Sequence, residues 1–145
     1  IVPEKGTLNQ EDLSILDSGY SMISKMSQYM DRYQINAAIY EIVKLCNKAN
    51  VYMDTMAPWR LRHENVERMH TVLYVLLELI RVSAIALQPF VPSTAKKDLG
   101  FLHMNEDIGF FKASADYCLS IGDPIATPYP ILNRLSEKGD NIKKK

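Results

Sequence analysis

Ile35-Asn36-Ala37-Ala38-Ile39-Tyr40-Glu41-Ile42-Val43-Lys44-Leu45-Cys46-Asn47-Lys48-Ala49-Asn50-Val51-Tyr52-Met53-Asp54-Thr55-Met56-Ala57-Pro58-Trp59 is the stretch that sets the fold class. Ile35, Ile39, Ile42, Cys46, Ala49, Met53 and Met56 recur at alternating steps of four and three, which brings all seven onto one face of an α-helix. Pro58 ends that helix, because proline disfavours helical geometry in the residue before it. Beside the apolar stripe, Asn47, Asn50 and Asp54 step by three and four and form a polar ladder.

The same periodicity continues on both sides of this stretch. Upstream, Thr7 and Gln10 have the spacing of a capping box, ahead of Leu13, Leu16, Tyr20, Ile23, Met26, Met30 and Tyr33. Downstream, Met69, Val72, Leu73, Leu76, Leu79, Ile80, Ser83 and Leu87 mark a third helix whose other faces are also largely apolar, which places it at the centre of a bundle. Pro89 and Pro92 punctuate a turn, and a short fourth helix fits between Ser93 as N-cap and Gly100 as C-cap. From Asp123 onward, Pro124, Pro128 and Pro130 oppose helix, so Ile131, Leu132 and Leu135 are expected in an extended strap. No repeat, low-complexity tract or convincing strand alternation interrupts this pattern. The expectation is one all-α domain over 1–145: a lead-in at 1–8, a helical bundle at 9–122, a strap at 123–138 and a frayed tail at 139–145.

A chain of 145 residues suits one compact domain that buries roughly two-thirds of its unfolded surface. Seventeen basic against 17 acidic residues leave no net field for polyanions, so nucleic-acid contact must rest on local arrangement. Cys46 and Cys118 follow neither a CxxC nor a Cys/His zinc spacing and read as small buried hydrophobes of a reducing compartment. The apolar run from Val72 to Leu87 is broken by Glu78 and Arg81 and is shorter than the ~20 residues of a membrane span. Ile1-Val2-Pro3-Glu4-Lys5-Gly6 has no starting Met, signal-peptide core or Arg-rich transit pattern, and reads as the interior of a longer chain.

Catalytic motifs are lacking: there is no Gly-rich phosphate loop, GxSxG elbow or HExxH, and His63, His70 and His103 are scattered. Lys25-Met26-Ser27 echoes the start of a KMSKS nucleotide loop but continues Gln28-Tyr29, and Met26 belongs to the apolar stripe of the first helix. The end of the second helix is richer. Short amides and a carboxylate at Asn47, Asn50 and Asp54 offer fixed donors and acceptors to the base edges of single-stranded RNA, although the same spacing suits a solvated flank. Trp59 follows Pro58 and stands beside Arg60 and Arg62, so its indole can stack on an unstacked base while the guanidiniums meet phosphate. A tryptophan anchored in the core is the alternative.

Asn50-Val51-Tyr52-Met53-Asp54-Thr55-Met56-Ala57-Pro58-Trp59 closely resembles the N-x-Y-x-D-x-x-A-P-W signature of methionyl-tRNA synthetases. Leu73-Tyr74-Val75-Leu76-Leu77-Glu78, Ile80-Arg81 and Leu87-Gln88-Pro89-Phe90-Val91-Pro92-Ser93-Thr94-Ala95 resemble that family's next helix and its P-F-x-P turn, in the same order. With Ile1-Val2-Pro3 and Pro130-Ile131-Leu132-Asn133-Arg134-Leu135, the resemblance covers most of the chain. It implies the α-helical anticodon-binding bundle of a class Ia synthetase, reading the CAU anticodon loop of tRNA(Met) and partnered by the enzyme's own catalytic domain. It also implies that Trp59 stacks on an anticodon base, that Pro58 shapes the turn, and that Asn50 and Asp54 support the site.

Catalysis, with ATP and magnesium, is expected in a separate domain upstream, no cofactor or metal in this segment, no membrane or DNA partner, and a location in the cytoplasm or an organelle matrix. Two departures stand out: the family's N-x-x-x-R pair has no counterpart here, and Asn133 occupies a position where the family usually carries proline. The competing readings are the related bundle of a leucyl-, isoleucyl-, valyl- or cysteinyl-tRNA synthetase, and a helical module that docks a partner protein through Trp59, Met53 and Met56.

Overall fold

The computed structural model describes residues 1–104 and 108–131. Five α-helices follow one another: α1 (Gln10–Asp31), α2 (Ile35–Met56), α3 (Pro58–Glu64), α4 (Val66–Leu87) and α5 (Pro92–Phe101). Two short 3-10 turns, Phe110–Ala113 and Ala115–Tyr117, come after them, and no strand occurs among the described residues. The all-α bundle expected from the periodicity is therefore the architecture observed. Its strap runs without helix or strand from Asp123 to Pro130, whereas Leu132, Asn133, Leu135 and the tail at 139–145 lie outside the described residues.

α4 is the axis of the bundle. The other four helices and the first 3-10 turn pack on it, and α1 also packs along α2. Val72, Val75, Leu79, Val82 and Ile85 of α4 meet Ile15, Leu16, Met22 and Met26 of α1 and Ala38, Ile42 and Leu45 of α2. Each of these Val, Leu, Ile and Met side chains contributes about 1.5 to 3 kcal/mol when fully removed from water. Helix α4 has the length and hydropathy of a membrane span, yet most of it is buried inside this bundle. Gly19 lets the three helices approach: a Cβ there would stand 3.2 Å from a Leu79 methyl and 3.9 Å from Leu45. Met26 is 2% exposed, so the Lys25-Met26-Ser27 string belongs to the core.

Several local expectations are corrected. The first helix is capped by Asn9 with Asp12, not by Thr7 with Gln10, since Asn9 and Asp12 exchange side-chain bonds with each other's backbone N–H. Its buried face is Ile15, Leu16, Gly19, Met22 and Met26, and Leu13 and Tyr33 point to solvent. In α2 the buried line is Ala38, Ile42, Leu45 and Tyr52, which turns Cys46 outward instead of into the core. Ser93 and Gly100 sit inside α5, whose caps are Val91 and Leu102.

Glu78 and Arg81 interrupt the apolar run for a structural reason. Both are fully buried and paired, Arg81 Nη2 to Glu78 Oε2 at 2.9 Å. Arg81 also donates to the carbonyls of Lys112 and Ser114, and Glu78 accepts from the Leu119 backbone N–H and the Tyr20 hydroxyl. The pair thus ties the 3-10 turns to the central helix. Val2, Tyr74, Leu102 and Leu119 form a smaller apolar cluster, where Val2 N–H donates to Asp123 C=O at 2.8 Å and Gly122 N–H to Val2 C=O at 2.9 Å. The lead-in and the strap therefore run side by side.

Candidate nucleic-acid interface

The corner between α2 and α3 is built around two residues. Ala57, 3% exposed, adopts a left-handed conformation (φ 45°, ψ 63°) that closes α2 and opens α3. Pro58 supplies the first residue of α3, where its missing N–H costs nothing and its ring disfavours right-handed helical geometry at Ala57. The Ala57 N–H still donates to Met53 C=O at 2.9 Å, and the Ala57 C=O accepts from Arg60 N–H at 2.8 Å. The corner is consequently hydrogen-bonded on both sides.

Trp59 follows on α3 with 56% of its surface exposed, which excludes the core-anchor alternative. Arg60 and Arg62 are exposed on the same short helix, none of whose side chains is buried. Periodicity predicts no helix after Pro58, because seven residues with no fully buried side chain are too few to show an apolar period.

The polar ladder of α2 is exposed throughout, but its members face different neighbours. Asn47 lines a cleft of about 730 Å³ between α1 and α2 with Ser14, Tyr40, Lys44 and Lys48. Asn50 lines a more apolar cleft of about 390 Å³ against α4, with Ala49, Met53, Leu76 and Ile80. Asp54 lies one helical turn beyond Asn50 and lines neither. The structure brings Pro58, Trp59, Arg60 and Arg62 together on α3, then, and leaves Asn47 and Asn50 on opposite flanks of α2.

Three residues meet beneath the corner, and of them only Tyr52 belongs to the signature around Trp59. Asp12, fully buried, accepts from the Tyr52 hydroxyl at 2.5 Å and from both Arg68 terminal nitrogens, at 2.5 and 2.8 Å. Arg68 Nη2 also donates to Met56 Sδ at 3.4 Å. Burial pushes the Asp12 carboxyl upward, but the bonds from Arg68, Tyr52 and the Asn9 backbone outweigh it and hold the group below the usual carboxylate range. The same contacts act oppositely on the partners: burial and then Asp12 raise the Tyr52 phenol, and the bond to Asp12 raises Arg68. Asp12 was legible only as the N-x-x-D cap spacing after Asn9; its link to Arg68 spans 56 residues.

Comparison with known proteins points in one direction. Residues 2–141 match the family model described as the anticodon binding domain of methionyl tRNA ligase. The methionine–tRNA ligase of Rickettsia felis is 39% identical over 132 residues, covering 90% of this chain and 25% of that protein. The enzyme of Mesorhizobium japonicum is 32% identical over 139 residues, covering 95% of this chain and 27% of that protein. Among solved structures, the apo form of Mycobacterium tuberculosis methionyl-tRNA synthetase superposes with a TM-score of 0.86 at 26% identity, over 93% of this chain and 28% of that one. This chain therefore spans about a quarter of the length of the ligases it resembles.

Proposed function

Because this chain belongs to the family of anticodon-binding domains of methionyl-tRNA ligases, we propose that it recognises the anticodon loop of tRNA(Met) on behalf of a ligase that attaches methionine to that tRNA. The observation that carries this reading is Trp59, a large aromatic held more than half exposed by a corner that packing and hydrogen bonds fix in place. An exposed indole on a rigid turn is a stacking platform for an unstacked base. Arg60 and Arg62 stand on the same helix to meet the flanking phosphates, and Asn50, Asp54 and Asn47 present donors and acceptors to base edges from α2. With no net charge on the chain, recognition rests on these contacts and not on a general field.

In the longer ligase, methionine activation by ATP and magnesium belongs to a separate catalytic domain that partners this bundle, and the site of action is the cytoplasm. The test is titration of an anticodon stem-loop. Trp59→Ala is expected to weaken binding of a CAU stem-loop by roughly 1 to 3 kcal/mol without loss of fold, and a CAA stem-loop is expected to bind less well than CAU. Unchanged affinity in a folded Trp59→Ala chain removes the stacking role, and equal binding of the two loops points to another class Ia bundle. Loss of a protein partner with RNA binding intact would instead favour a protein-docking module.

A further inference from the structure

We propose that Asp12 is a positioning residue for Trp59, a role that rests on the anticodon-binding reading for its purpose but not for its geometry. Asp12 lies in the first turn of α1, far in sequence from the corner, and touches no exposed surface. Its two oxygens collect the hydroxyl of Tyr52, in the last turns of α2, and the guanidinium of Arg68, in the first turn of α4. Arg68 in turn reaches Met56, the final residue of α2 and the one before Ala57. The same turn of α4 begins at Asn65, whose side chain accepts from the Arg68 N–H at 2.9 Å and which directly follows the last residue of α3.

One carboxylate thus grips both chain segments that flank α3. No α3 side chain is fully buried, and Leu61 packs half-buried against the core. Its direction, and with it the direction of Trp59, is therefore set by that contact together with its two ends, the end of α2 and the start of α4. No other buried carboxylate among the described residues contacts these two ends: Glu78 pairs with Arg81 and accepts from the Leu119 N–H and the Tyr20 hydroxyl. Asp12 is also satisfied on every side, with the Asn9 N–H at 2.9 Å as a further donor, so it has no free lone pair directed at a ligand. Its work is to fix geometry.

Trp59 is the sole tryptophan, which makes its fluorescence a direct reporter of the corner in the absence of RNA. The experiment compares Asp12→Asn and Tyr52→Phe with Leu99→Ala, a core change in α5 that lowers stability away from the corner. The expected result is that both network variants keep helical circular dichroism and cooperative unfolding, yet show lower Trp59 anisotropy and faster acrylamide quenching than Leu99→Ala. Their CAU stem-loop affinity should fall by about tenfold if the bound orientation drops to about a tenth of the population. Trp59 anisotropy in folded Asp12→Asn and Tyr52→Phe no lower than in Leu99→Ala overturns the proposal. If Asp12→Asn does not fold, Tyr52→Phe decides it by the same comparison. Should Trp59 loosen while even the unaltered chain ignores the stem-loop, the positioning role stands and the anticodon reading falls.

Discussion

Ala57 carries an unusual load for so small a side chain. A left-handed φ of 45° is disfavoured for any residue with a Cβ, at a cost of about 1 to 2 kcal/mol, and glycine would remove that cost. Glycine would also expose about 0.8 kcal/mol worth of buried methyl and add up to about 1 kcal/mol of freedom to the unfolded chain. These effects nearly cancel. Ala57→Gly is therefore expected to leave the unfolding free energy within about 1 kcal/mol of its original value in urea titrations. Stem-loop affinity should nonetheless decline, because the corner gains freedom that binding must then remove. A loss of stability well beyond that margin would show that the Ala57 methyl packs more tightly than its strain costs.

At the scale of the elements, the buried pair on α4 decides how the later chain docks. Arg81→Met leaves the Glu78 carboxylate in the core with its cation gone, and breaking such a pair costs about 3 to 5 kcal/mol. Replacing both partners with apolar residues should cost less, since no orphan charge remains, although the carbonyls of Lys112 and Ser114 would lose their donor. Urea unfolding of the single and double variants separates these outcomes. The helices differ in how far their residues announced them. α4 is apolar on nearly every face, so its central place followed directly from Val72 to Leu87. α1 kept its position but turned its buried face toward Ile15 and Met22, because the capping residues are Asn9 and Asp12 and the packing is set by Gly19 against Leu79. Cys46 joined an apolar stripe on spacing alone, and contacts with α1 and α4 chose Leu45 and Tyr52 as the inward line. The corner that carries Trp59 was readable because Ala57, Pro58 and Trp59 are adjacent in sequence. Asp12 and Arg68 were not, because a contact across 56 residues leaves no local pattern.

For the whole molecule, the acid limb of stability is where the buried network becomes measurable. Asp12 binds its proton less readily in the folded chain than in the unfolded one, so its contribution is complete at neutral pH. It fades as pH falls past the ordinary carboxylate value of about 3.9 toward the lower folded value. Asp98 has the opposite sign: burial raises its carboxyl, so stability from that group declines as pH rises through its folded value. Urea midpoints followed from pH 7 downward are expected to fall below about pH 4, and Asp12→Asn should flatten that fall while Asp98→Asn leaves it in place. A limb that stays as steep in Asp12→Asn would assign it to other carboxylates. The bonded corner at Ala57 and Pro58 has a further consequence, which is kinetic. On the proposed anticodon reading, a corner held in one shape needs no slow rearrangement on the protein side after collision, so its association rate is governed by diffusion and orientation. Substitutions that remove contacts at Trp59 would then shorten the lifetime of the complex and leave the speed of its formation nearly untouched.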